Sequence, residues 1–300
     1  MLKAILSETI SQAQVVSTNV TDDDAPAWSS GTTYSTQDRV VYAGAVYESS
    51  ADNNAGNVPG AVGAPWLFVY LASTYRAFDR RLTAPITRSG TIEYLLEPAG
   101  LVRAVALVGV SASQATVRVR DSGGAILAEE TKFLADYSEM IDALTMVLTE
   151  PGVRDMVVFE GAICAPGNRI EVVIGNGIGS PSVSEIVIGD ALTIGTAVFG
   201  VEDSINDFSE FIEDEFGNVD IVERGYRDVK DFPVKVDVAD RSRVMRKLTP
   251  FRAKMIFVYT DADNENGLNI YGRFERLMTI IPDPVRADMN LRLLGATYAA

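Results

Sequence analysis

The sequence predicts a mainly-β protein built from several small units. Three observations lead there. Apolar and polar residues alternate with period two over long stretches, Gly and Pro interrupt those stretches at short intervals, and helical spacing is confined to short segments. With 300 residues, 47% of them hydrophobic and 22% charged, the chain suits two or three domains at roughly 100–200 residues each. It is too apolar to stay disordered. The expected order is an extended arm over residues 1–25, an aromatic-rich β module over 26–70, an antiparallel β-sandwich over 71–200, and an acidic linker followed by a C-terminal α+β assembly domain over 201–300.

The arm is rich in Ser, Thr, Gln and Asn, carries a β-like patch at Gln14, Val15 and Val16, and ends in the acid run Asp22, Asp23 and Asp24 before Pro26. Such an arm stays mobile or docks on a neighbouring subunit. The composition then shifts to Gly, Ser, Tyr and Trp. Two short strands are predicted over residues 39–42 and 45–48, with Ala43 and Gly44 as the turn. A module of this size lacks room for a large core, so its aromatic side chains must supply most of the burial.

Over residues 86–200 the alternation is clearest at 115–120, where Val117 and Val119 share one face and Arg118 and Arg120 the other; residues 121–124 form the turn that follows. Further strands are predicted over 102–110, 156–159, 169–174 and 185–188. Leu134, Tyr137, Ile141 and Leu144 recur at helical spacing, which predicts a helix or long crossover over residues 133–148.

Residues 202–223 hold nine acids and no basic residue, with Phe208, Phe211, Ile212 and Phe216 interleaved as in an amphipathic segment. A strand over 234–238 follows. Asp240 is the expected N-cap of a short helix to Leu248, and Pro250 ends it. Strands over 255–259 and 268–271 flank the Asn266-Gly267 hairpin signal, and strands over 273–281 and 289–294 complete a β-α-β-β-β unit.

Composition excludes several kinds of chemistry. There is no histidine, which removes Ser-His-Asp and Cys-His catalysis and imidazole-ligated metals. The single cysteine, Cys164, forms no internal disulfide and reads as a small buried apolar residue. The net charge of −15 argues against nucleic acid as a partner. No apolar run is long enough to span a membrane, and the first residues do not read as a secretory signal. Residues 261–267 invite a calcium reading, but an EF-hand loop needs Gly sixth and Glu twelfth, where Asn266 and Gly272 stand. The run Gly175, Asn176, Gly177, Ile178, Gly179 lacks the Lys-Ser/Thr ending of a phosphate loop and reads as a turn. The expectation is a protein without enzymatic activity, cofactor or metal; a hydrolase working through carboxylates alone is the enzymatic alternative.

One aromatic series carries a resemblance. Ala27-Trp28, Gly31, Tyr34, Asp38-Arg39-Val40, Tyr42, Gly44, Val46-Tyr47, Pro59-Gly60 and Trp66 follow in order the pattern of the small chitin-binding-type carbohydrate-binding modules of families five and twelve. Gln37 stands where that family has Gly before the Asp, and Leu67 where it often has a second aromatic. The resemblance implies sugar stacking by Trp28, Tyr34, Tyr42, Tyr47 and Trp66; the residues alone also allow these five to form the module's small core.

A basic set, Arg241, Arg243, Arg246 and Lys247 with Arg252 and Lys254, follows the acidic stretch. Glu210, Glu213 and Asp214 on one copy facing Arg241, Arg243, Arg246 and Lys247 on the next would suit head-to-tail subunit packing; pairing of the two stretches within one chain is the alternative. In domain style the chain resembles virion proteins of tailed bacteriophages. Residues 186–195 are similar to the closing strand of phage β-sandwich domains of the jelly-roll or galactose-binding-like kind, and the C-terminal unit is similar in outline to the ring-forming domain of distal tail proteins. That resemblance implies a structural ring subunit of a tip, baseplate, collar or neck. It would be assembled in the host cytoplasm, partnered by copies of itself and other tail proteins, with the module either meeting host glycans or decorating the surface. A carbohydrate-binding adhesin or fibre-associated receptor-binding protein is the alternative.

Overall fold

The computed structural model describes residues 1–136, 152–213, 215–263 and 267–298, which are mainly β-strand in antiparallel sheets. Leu2–Ser7 (β1) pairs on both sides, with Glu185–Ala197 and with Ile256–Tyr259, and Leu2, Ala4 and Ile5 are fully buried. Val15–Thr18 (β2) joins the edge of a separate sheet beside Ile92–Leu96. Asp22 then accepts the backbone N–H of Thr74 at 2.7 Å, and Asp24 accepts that of Ser73 at 2.8 Å while pairing with Arg76. In place of the extended arm expected over residues 1–25, mobile or docked on a neighbouring subunit, this segment forms two strands and a clasp. Its apolar residues gain more from burial inside a sheet than a mobile arm allows.

A small module rises from that clasp. Thr33–Tyr34 (β3) pairs with Asn54–Ala55, while Arg39–Tyr42 (β4), Ala45–Ser49 (β5) and, after Asn54–Ala55 (β6), Trp66–Leu71 (β7) form a sheet with β5 in the middle. Ala43 and Gly44 both have positive φ, 48° and 70°, the mirror-image turn whose twist matches the flanking strands. The helical turn Ser73–Arg76 then returns the chain to the clasp.

The sandwich comprises Ile86–Thr87 (β8), Ile92–Leu96 (β9), Ala104–Val108 (β10), Gln114–Arg120 (β11), Ile126–Phe133 (β12), Ala135–Asp136 (β13), Gly152–Val153 (β14), Met156–Phe159 (β15), Arg169–Ile174 (β16), Ser182–Val183 (β17) and Glu185–Ala197 (β18). Its five-stranded sheet, in the order β12-β11-β16-β9-β2, packs against β15-β10-β18. Val117 and Val119 enter the core between them, while Arg118 and Arg120 pair with Glu129 and Glu171 on the outer face. In the segment read as helical, Phe133 instead closes β12 and Leu134 packs in the sandwich core; Tyr137, Ile141 and Leu144 lie outside the described residues. Cys164 is buried here, and burial, with Glu8 nearby, pushes its thiol up to about 11.

Glu202–Asp207 (β19), Glu210–Glu213 (β20), Val219–Val222 (β21) and Tyr226–Asp237 (β22) lead to the helix Val238–Leu248, then to Ile256–Tyr259 (β23), Ile270–Ile280 (β24) and Arg286–Gly295 (β25). The β-α-β-β-β order is present, with the strands expected over 268–271 and 273–281 merged into β24. The helix N-cap is Asp237, and Asp240 sits in the first turn, where it pairs with Arg243 at 3.1 Å. The acidic linker is corrected to an edge strand, β19, hydrogen-bonded to β22, and a hairpin, β20–β21.

The large sheet runs β15-β10-β18-β1-β23-β24-β25-β22-β19. β18 also pairs with β22, Thr196 opposite Lys235 and Ala197 opposite Val234. That contact closes β18-β1-β23-β24-β25-β22 into a six-stranded barrel. Its core holds Leu192, Ile194, Phe232, Met289 and Leu291, with Val244 and Leu248 of the helix packed into it. The boundary expected at residue 200 thus falls inside one continuous sheet.

Glu185 sits where sandwich and barrel meet. It is 4% exposed, accepting the Arg80 backbone N–H at 2.8 Å and the Tyr271 hydroxyl at 3.1 Å. Burial lifts its carboxyl well above the usual carboxylate range. A folded-state value above the unfolded one means that this group stabilises the fold at pH below the unfolded value. The contribution is lost as pH rises through the folded value. Glu185→Gln is expected to flatten the fall in unfolding free energy as pH rises above the usual carboxylate range, measured by urea denaturation at stepped pH; identical slopes for both proteins would refute the assignment.

Candidate functional site

Two surfaces carry the residues singled out in the sequence. In the module, Trp66 lies at the start of β7 and Tyr34 on β3. They meet edge to face at 5.2 Å, each only 8% exposed, with Val40 beneath them. The Trp66 indole N–H donates to the Asn57 carbonyl at 2.9 Å, and the Tyr34 hydroxyl accepts the Ser29 N–H at 2.8 Å. Both polar handles are used inside the fold, so these two rings are core. Trp28 meets Tyr42 edge to face at 5.3 Å; Trp28 and Tyr47 are half-buried against the same core.

The exposed aromatic of the module is one that the pattern did not single out. Phe68 on β7 is 57% exposed and meets the Tyr47 ring edge to face at 6.1 Å. The register explains it: Tyr47 opposes both Val40 and Phe68, so the three side chains share a face, and Phe68 is at its rim. Gly60, in the left-handed region at φ 80°, lies against the Tyr47 hydroxyl, where an added Cβ would stand 3.0 Å away. A sugar ring meeting this module would therefore find the Tyr47–Phe68 edge rather than Tyr34 or Trp66. The signal available in sequence was the period of β7, obscured by an irregular register between Val46 and Tyr47 that shifts which of Leu67 and Phe68 shares the Tyr47 face.

Gln37 holds a left-handed backbone (φ 73°), the conformation that favours glycine. Its turn is held by Asp38, whose carboxylate accepts the Ser35 N–H at 2.7 Å.

The second surface is the acidic one. Every residue of β19, β20 and β21 is exposed. Ile205, Phe211, Ile221 and Tyr226 line an open groove of about 430 Å³ between β19 and the hairpin, with Glu223 and Arg224 at its edge. Phe211 and Ile221 oppose each other across the hairpin, each 65% exposed. Glu210 pairs with Arg224, and Asp203 reaches the buried Lys230 at 3.0 Å. Glu213 is exposed; Asp214 lies outside the described residues. Of the basic set, Arg243 pairs with Asp240 and Lys247 with Asp190 at 3.8 Å, while Arg246 donates to the Ser242 carbonyl at 3.3 Å. Among the described residues the buried Arg241 Nε has no partner. No ion pair among the described residues joins residues 202–223 to residues 241–254.

Among the described residues no group of three His, Cys, Asp or Glu side chains is placed to hold a metal ion. Comparison of the chain with protein-family models, with curated proteins and with solved structures finds no match.

Two outcomes are expected in the module. Trp66→Ala should cost about 3–5 kcal/mol, the usual range for emptying a large buried aromatic, and Phe68→Ala no more than about 0.5 kcal/mol. Near-UV circular dichroism melts separate them, and equal costs would contradict the assignment of Trp66 to the core. Gln37→Gly should raise stability by about 1 kcal/mol by releasing the left-handed strain; a loss in the same melts would contradict it.

Proposed function

We propose that this chain is a non-enzymatic structural subunit of a bacteriophage tail, at its tip, baseplate, collar or neck, and that it assembles into a symmetric ring. The observation that carries the reading is the exposed edge strand β19 with the projecting hairpin β20–β21. Phe211, Ile212, Phe216, Val219 and Ile221 stand out there in water, Phe216 at 87% exposure. Exposed apolar side chains gathered on an unpaired sheet edge mark a surface that another protein covers. A barrel rim with such an edge suits addition of a neighbour's strand, with the acids Glu202, Glu213 and Asp220 setting which surface is accepted. The partners under this reading are further copies of the chain and other tail proteins, and the assembled virion is its location.

The module supports the second reading, a carbohydrate-binding adhesin. The observation favouring it is the Tyr47–Phe68 edge, which offers an apolar ring surface to the C–H face of a pyranose. Both readings place the module at the periphery, since residues 22–24 and 73–76 clasp it by its stem.

Light scattering on a sizing column with negative-stain imaging tests the ring. The expected result is a closed multimer for the parent protein and a monomer with an unchanged melting temperature for Phe211→Glu/Ile221→Glu. A parent protein that remains monomeric at high concentration would count against the ring, and glycan-array binding lost in Phe68→Ala would then favour the adhesin.

A further inference from the structure

Four arginines from distant parts of the sequence meet in one cleft. Arg80 and Arg81, from the loop after the module, stand opposite Arg227 at the start of β22 and Arg273 on β24, around a space of about 280 Å³ that Thr83 and Thr297 also line. No aspartate or glutamate lines it. In a chain of net charge −15 that concentration of positive charge runs against the global field and focuses attraction locally.

The guanidinium groups are not consumed by the fold. Arginines elsewhere, such as Arg76, Arg103, Arg118, Arg120 and Arg292, pair with carboxylates. In the cleft, the Arg80 side chain donates to the Thr9 hydroxyl at 2.8 Å, and Glu185 takes only its backbone N–H. Asp79 likewise takes only the backbone N–H of Arg81, at 2.8 Å. Among the described residues, the guanidiniums of Arg81, Arg227 and Arg273 have no carboxylate at ion-pair distance. Arg227 rests 5.2 Å from the Phe208 ring, and among the described residues its buried Nε has no partner. A buried donor left unpaired is costly unless something accepts from it. Arg80 also holds φ at 67°, an unfavourable backbone for a residue with a side chain.

We propose that this cleft binds a multiply charged oxyanion of the phosphoryl class, either inorganic phosphate or a phosphate monoester. Planar guanidinium forks match the oxygen edges of such a group with paired N–H donors. A single carboxylate from a neighbouring copy would bring one charge to four arginines, whereas a phosphoryl group brings close to two in the same volume.

Isothermal titration of the full chain with sodium phosphate, and separately with glucose 6-phosphate, at constant ionic strength tests this. Saturable binding with one site per chain is expected, weakened about tenfold in Arg273→Ala and in Arg81→Ala, both exposed positions outside the cores. It should be unchanged in Arg39→Ala, on the module. Similar affinity for both probes assigns the free ion, and a much tighter ester assigns a phosphate monoester; either supports the site. Heat that does not saturate, or that the two cleft variants leave unaltered, overturns it. So does light scattering in which phosphate dissociates a self-associated protein, because the cleft would then hold the acids of a second copy.

Discussion

β18 is thirteen residues long and belongs to two cores at once. Its alternation continues from Ile186 to Ile194, so the face that puts Ile186 and Ile188 into the sandwich puts Leu192 and Ile194 into the barrel. Between them, on the same face, comes Asp190, which sits between the two apolar regions and pairs with Arg103 and with Lys247. The opposite face sends Val187 into a third cluster with Ile5, Phe257 and Tyr271, which fills the angle between sandwich and barrel wall. Gly189 lies beside the crossing because a Cβ there would run into the Leu6 carbonyl. A one-residue slip of this strand would invert both cores together, so the sandwich and the barrel share one register.

β1 depends on that strand and supports it in return. It fills the position between β18 and β23, and without it the barrel would have two facing edges and Leu2, Ala4 and Leu6 would be exposed. The module, by contrast, has its own small core and touches the rest through its stem and through Gly44, which packs against the Tyr75 ring and the Gln12 side chain. Rigid sheets therefore carry the acidic hairpin, the module and the arginine cleft, and none of the three is needed to complete a main core.

Much of this was legible from local pattern. The alternation at residues 115–120 placed valines inward and arginines outward, the mirror-image turn at Ala43-Gly44 joined the strands expected there, and the C-terminal order of strand, helix and three strands followed from periodicity and turn chemistry. What sequence order concealed was pairing at long range. Leu2–Ser7 is a short, mixed segment whose partners lie nearly two hundred residues away, so it read as an arm. The acids of residues 202–223 interleave with Phe and Ile at a spacing that fits an amphipathic segment, and only pairing with β22 makes the first of them a strand. Arg80, Arg81, Arg227 and Arg273 form no cluster in sequence. The basic set that does, from Arg241 to Lys247, is partly neutralised by Asp240 and Asp190.

The same long-range pairing gives the acidic residues of the hairpin a role during folding. β1 must meet residues 189–195 and 257–259, so the barrel closes only after most of the chain is present, and pairing at such separation is slow. Throughout that interval the locally formed hairpin β20–β21 exposes Phe211, Ile212, Val219 and Ile221 beside an open edge. An apolar strand in that position would pair with any passing edge. Glu210 and Glu213, flanking Phe211 and Ile212 on one strand, and Asp220, between Val219 and Ile221 on the other, make two such hairpins repel one another. The charge proposed to guide this edge to a neighbour would also keep it from the wrong ones before the barrel has closed.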